Sequence, residues 1–154
     1  MLVTQTEIID IVKQGHQNGT SFVVTNGCFD ILHIGHVRYL NKTKQYANKL
    51  IVLLNSDQSV KRLKGESRPI NNEQDRAELL SSLRCVDYVV LFEEDSPAEL
   101  LGKIKPDVYT KGADYNINNL PERDVVIKNN IKVEFIDFVE GKSTTNVINK
   151  INRS

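Results

Sequence analysis

The chain has 154 residues, 40% apolar and 26% charged, with 20 basic residues set against 20 acidic ones. That length suits one domain with a real core, and the charge balance gives no bulk electrostatic reason to expect a nucleic-acid or anionic-membrane partner. No stretch approaches the ~18 apolar residues that a membrane span requires.

In chain order, Ile8, Ile9, Ile11 and Val12 predict a first helix, closed by Gly15 or by Asn18-Gly19. Glu7, Asp10 and Lys13 interrupt its apolar pattern, so the N-terminus reads as neither a secretory signal nor a transit peptide. The run from Ser21 to Thr25 is the kind of near-continuous β-branched segment found in a strand covered on both faces. Val37, Leu40 and Ala47 mark a second helix, and Leu50 to Leu54 a second buried strand. Leu79, Leu80 and Leu83 predict a helix opening near a capping Asn72, followed by a third strand from Tyr88 to Phe92. Ser96-Pro97-Ala98-Glu99 has the form of a capping box with proline at the first helical position, and its helix should run to about Ile104. Asp107 to Thr110 is the fourth strand, Pro121-Glu122 opens a helix through Ile127, and Ile131 to Ile136 is the fifth strand. A last helix from Ser143-Thr144 is expected to bury Val147, Ile148 and Ile151.

Strand–helix alternation without tight hairpins implies an α/β fold, a doubly wound, Rossmann-like sheet of about five parallel strands. With no linker or repeat in view, residues 1–154 read as one domain, with the helix of residues 1–19 on or near it. Cys28 and Cys85 stand beside apolar runs without C-x-x-C spacing, which favours buried free thiols and reduced, cytoplasmic conditions.

Ligands of such sheets bind at the carboxyl ends of the strands, so the loop after the first strand, Thr25-Asn26-Gly27-Cys28-Phe29-Asp30-Ile31-Leu32-His33-Ile34-Gly35-His36, comes first. Gly27 lets backbone approach a ligand, and His33 and His36 bracket Gly35 where a helix begins. Amides at a helix start attract phosphate, and two imidazoles beside them can donate to it. Structural histidines, or metal ligands lacking a third partner, are the alternatives that residue types leave open here. Near the far end, Gly141-Lys142-Ser143-Thr144-Thr145 offers hydroxyls and amides that suit either a plain N-cap or a second phosphate wall. In the basic run Lys61, Arg62, Lys64 and Arg68, one or two members are expected to fold over phosphates as a flap, Lys64 beside Gly65 before Lys61. Lys44 either reaches back to phosphate or lies on the surface.

The string G-C-F-D-x-x-H-x-G-H resembles the signature of the H-x-G-H nucleotidyltransferase superfamily. The order K-R-L-K-G, R-P-I, Arg76, T-K-G-A-D-Y, L-P-E and S-T-T is similar to the heptose-1-phosphate adenylyltransferase group, from about Asn26 to Ile151. This likeness implies transfer of AMP from ATP to a sugar 1-phosphate, D-glycero-D-manno-heptose 1-phosphate, with Mg²⁺ carried by ATP and no metal held by the protein itself. It implies that His33 and His36 stabilise the transferring phosphate, helped by Lys64 and Arg76. Gly27, Cys28, Phe29, Asp30, Gly35, Lys111, Gly112, Asp114, Ser143, Thr144 and Thr145 would bind the nucleotide. Asn55, Asp57, Lys61 and Arg68 would bind the acceptor. A homodimer is common in the group, and the first helix would serve a self-interface or simply cover the sheet. Two departures stand out. Phe138-Val139-Glu140 lies where the cytidylyl pattern has an arginine, and Asn129-Asn130 stands where relatives have paired glycines. Asparagine tolerates the left-handed backbone such a turn needs. A cytidylyltransferase for glycerol 3-phosphate or an amino-alcohol phosphate, and a non-catalytic nucleotide-binding module, are the competing readings.

Overall fold

Five hydrophobic segments form one parallel sheet: β1 (Phe22–Gly27), β2 (Lys49–Asn55), β3 (Tyr88–Phe92), β4 (Val108–Gly112) and β5 (Lys132–Ile136). The computed structural model describes residues 1–137 and 143–154. Strand order is β3-β2-β1-β4-β5, so the chain winds outward from β1 in one direction and then crosses to its other side. β1 is therefore the switch point, where the fold class places ligands.

Alternation along the strands divides the core between two faces. Val24, Ile51, Leu53, Val90 and Tyr109 pack with the helices α1 (Gln5–Gln17), α5 (Ala98–Ile104) and α6 (Arg123–Lys128). Val23, Leu50, Val52, Leu54 and Val89 pack with α2 (Ile34–Lys44) and α4 (Glu73–Ser81). Burying such residues on both sides contributes roughly 1.5–3 kcal/mol each. α1 lays Ile8 and Val12 into the sheet, the second of its two expected uses, and ends at Asn18 with Gly15 inside it. Asn130 adopts a φ of 53° before β5, the left-handed turn expected there.

Three expectations are corrected, and one open alternative is resolved. The segment after β2 is a helix, α3 (Asp57–Lys64), capped by Ser56 and stopped by Gly65 at φ 105°. Its apolar content, Val60 and Leu63, is too thin for periodicity to announce it. The capping box at α5 does not form: the Ser96 hydroxyl accepts from the Ala98 amide, while Glu99 pairs with Lys103. The last helix, α7 (Thr144–Arg153), buries none of its residues, and Ile151 is 64% exposed. Lys44 is turned away from the loop and pairs with Asp87. Among the described residues no helix is long and apolar enough to cross a membrane.

Candidate active site

β1 pairs with β2 through Gly27↔Leu54, but its pairing with β4 ends at Val24↔Tyr109. Beyond that point β1 and β4 separate, and a cavity of about 760 Å³ opens at their carboxyl ends. Side chains bridge the gap. The Tyr39 hydroxyl lies 2.9 Å from Thr25 Oγ1 and 3.3 Å from Thr110 Oγ1, and Tyr109 donates to Asn26 Oδ1 at 2.6 Å.

The loop after β1 is shaped by Gly27 and Phe29. A Cβ on Gly27 would sit 2.8 Å from the Phe29 ring, which folds back because Phe29 takes a left-handed φ of 44°. That ring meets His36 edge-on, with centroids 5.1 Å apart. His33 is the N-cap of α2, its Nδ1 accepting from the Gly35 amide at 3.1 Å, while His36 Nδ1 accepts from the His33 amide at 3.4 Å. With both Nδ1 atoms acting as acceptors, each neutral ring carries its proton on Nε2. The rings stack with centroids 3.8 Å apart. Burial, with the neighbouring His33 second, lowers His36 to a pKa of about 4. His36 thus presents a neutral imidazole as a donor.

Asp30 anchors the rest of the loop. It is 1% exposed and accepts from Arg68 Nε at 2.7 Å, from the Ile70 amide at 2.9 Å and from the Asn71 amide at 3.0 Å. Burial pushes its carboxyl upward, but the amides of Asn71 and Ile70 and the Arg68 guanidinium together hold it below the ordinary value. Arg68 is thereby fixed at the cavity wall. Burial raises the Cys28 thiol, which keeps it protonated and ill suited to nucleophilic work.

Of the residues expected to bind, Gly27, Cys28, Phe29, Asp30, His33, Gly35, His36, Asn55, Lys64, Arg68, Lys111, Gly112, Ser143, Thr144 and Thr145 line this one cavity. Asp57, Lys61 and Asp114 do not. Ser143 caps α7 by accepting from the Asn146 amide, and Thr144 donates to Ile31 O at 3.0 Å, which ties α7 to the histidine loop. Gly141 and Lys142 of that motif, with Phe138-Val139-Glu140, lie outside the described residues.

Arg76 is the main correction. Expected at the phosphates, it is 0% exposed and absent from the cavity wall. It donates to Asn71 O, Cys28 O, Asn55 O and Asp57 Oδ1, all at 2.8–2.9 Å. It binds together the carboxyl ends of β1 and β2 from beneath.

Sequence reasoning missed Asn26, Tyr39, Ser96, Tyr115 and Glu122, all of which line the cavity. Asn26, Tyr115 and Glu122 carried a hint, as parts of the loop after β1, of T-K-G-A-D-Y and of L-P-E, but nothing in L-P-E signals a buried carboxylate. Among the described residues no group of three or more His, Cys, Asp or Glu could hold a metal ion.

Residues 24–150 match the cytidylyltransferase-like family. The bifunctional protein HldE of Campylobacter concisus (strain 13826) is 57% identical over 145 residues, covering 94% of this chain and 29% of that protein. That of a Nitratiruptor species is 54% identical over 145 residues, covering 94% and 30%. The chain therefore spans less than a third of the length of these curated relatives. Among solved structures, the lipopolysaccharide core biosynthesis protein from Thermoplasma volcanium GSS1 aligns with a TM-score of 0.64 and 30% identity, over 80% of this chain and 100% of that one. A family match through most of the chain, on a sheet whose switch point carries the H-x-G-H loop, places this protein in the cytidylyltransferase-like family of nucleotidyltransferases.

Proposed function

We propose that the protein transfers AMP from ATP to D-glycero-D-manno-heptose 1-phosphate, releasing pyrophosphate and forming ADP-heptose. The observation that carries this reading is the stacked pair His33 and His36, oriented by backbone amides at the mouth of α2 inside a cavity of about 760 Å³. That volume is in the range of small-molecule and cofactor sites. The sugar acceptor is supported by the 57% identity to a bifunctional HldE and by the likeness to a lipopolysaccharide core biosynthesis protein.

In this reaction a phosphate oxygen of the sugar attacks the α-phosphorus of ATP. One P–O bond forms while the bridging bond to the β-phosphate breaks, and pyrophosphate leaves. A sugar phosphate is already ionised near neutral pH, so the work of the protein is positioning and charge stabilisation. His33 and His36 donate from Nε2 to the α-phosphate as charge develops. Lys64 and Arg68, at the cavity wall, neutralise the departing pyrophosphate, and Ser143 keeps a hydroxyl proton to donate while its oxygen caps α7.

Mg²⁺ fits as a companion of the triphosphate. Both Asp30 oxygens are occupied by Arg68, Ile70 and Asn71. Phosphate oxygens and water would therefore supply most of its coordination, as is usual for this ion. The ion would add charge neutralisation on the β- and γ-phosphates.

The test is pyrophosphate release from ATP, Mg²⁺ and the heptose phosphate, run beside CTP and beside glycerol 3-phosphate. His33→Ala and His36→Ala are expected to lower kcat by at least about a hundredfold each, the scale of losing a preorganised donor. Full turnover in both variants would remove their phosphate role. Preference for CTP would support a cytidylyltransferase, and ATP binding without release on any sugar phosphate a non-catalytic module.

A further inference from the structure

Where β4 leaves the sheet, the cavity holds a buried charge pair that phosphate chemistry does not use. Glu122, immediately before α6, is 2% exposed, yet lines the cavity. Its Oε1 accepts from Ser96 Oγ at 3.3 Å and lies 4.0 Å from Lys111 Nζ. Its Oε2 is buried with no hydrogen-bond partner among the described residues. Lys111 donates to Asn26 Oδ1 at 3.0 Å and sits over the ring faces of Tyr115 and Tyr109, 5.2 and 5.9 Å from their centroids. Burial lowers the Lys111 pKa, opposed by Glu122 and Asp114.

A buried carboxylate oxygen without a donor costs free energy that folding does not recover. Because Glu122 lines the cavity, a donor on whatever fills it, or a water that it displaces, can supply the missing bond. A phosphate is repelled by Glu122. A nucleobase amino group could donate to the carboxylate, but the Lys111 ammonium over the two nearest tyrosine rings leaves a base little to stack on and needs an acceptor of its own beside the donor. A hydroxyl fits: it donates to the carboxylate, and its neighbour on the same ring accepts from the ammonium. We propose that Glu122 and Lys111 form a hydroxyl-reading subsite, in which one hydroxyl of a sugar donates to Glu122 Oε2 and an adjacent one accepts from Lys111 Nζ. Only the choice of sugars rests on the proposed reaction: the ribose of the nucleotide or the ring of the acceptor phosphate.

Calorimetric binding tests this directly. The nucleotide arm compares ATP with 2′-deoxy-ATP, 3′-deoxy-ATP and the 6-deamino analogue. The acceptor arm compares the heptose 1-phosphate with its monodeoxy analogues, in the presence of a non-hydrolysable ATP analogue. For the wild-type protein, removal of one particular hydroxyl in one arm should weaken binding by about tenfold or more, the scale of a hydrogen bond to a charged group. In Glu122→Met that same removal should change Kd by less than about threefold, because the partner is already gone. Lys111→Met probes the pair from its other side and keeps the subsite testable where Glu122→Met does not fold. The arm in which the coupling appears identifies the sugar. Unchanged ratios in both variants, or coupling confined to the 6-deamino analogue, would overturn the subsite. Binding ratios need no turnover, so absence of pyrophosphate release overturns the reaction alone and leaves these ratios to decide the subsite.

Discussion

The two imidazoles show how far backbone geometry fixes side-chain chemistry. Each Nδ1 is held by a main-chain amide, so both rings are locked as Nε2 donors before any ligand arrives. The pKa of His36, lowered to about 4 by burial and by His33, gives a pH signature. Its value in the unfolded chain is near 6.5, so between those limits the unfolded state binds the extra proton. The His36 contribution to stability is therefore complete above about pH 6.5 and is lost as pH falls toward 4. Asp30, also held below its ordinary value, acts in the same direction lower on the scale: its contribution is present above its unfolded pKa and lost as pH falls through the folded one. A site-resolved measurement separates them. The His36 ring-proton resonance should titrate near pH 4 in the ligand-free protein, and a midpoint near 6.5 would refute its burial.

Helices carry the clearest contrast between what sequence announces and what packing decides. The strands were legible because parallel strands buried on both faces read as unbroken apolar runs, as Leu50 to Leu54 does. α3 was not, since Asp57–Lys64 owes its helicity to the Ser56 cap and to packing through Val60 rather than to an apolar stripe. The histidine loop was legible from spacing. Glu122 was not, because a carboxylate buried by residues distant in the chain looks like a surface one in sequence. Arg76, on α4, illustrates the same limit, since its helix does not reveal whether its guanidinium faces ligand or backbone. Its four donated bonds predict a structural outcome. Arg76→Met strands three carbonyls and Asp57, and should destabilise the fold by about 3–5 kcal/mol in urea unfolding. Arg76→Lys should recover only part of that, having no planar fork. Intact stability with a raised ATP KM would instead return Arg76 to the phosphates.

At the scale of the molecule, the ligand end of the sheet is assembled from both of its halves. His33, His36 and Asn55 belong to the β1-β2-β3 side, Lys111 and Glu122 to the β4-β5 side. A nucleotide that binds only this assembled arrangement should stabilise it by mass action, by about 2.7 kcal/mol at a hundred times Kd. For a domain of this size that is roughly a 5–10 °C rise in Tm. A thermal scan with ATP and with CTP would read it, and absence of any rise with either would contradict nucleotide binding. The uneven pairing of β1 has a mechanical corollary. It is laced to β2 by six residue pairs but to β4 by two. Among the described residues, the carboxyl ends of β1 and β4 are thus joined by side chains such as Tyr39 and Asn26 rather than by a backbone ladder, so a ligand lodged between them would add cross-links that the sheet itself lacks there.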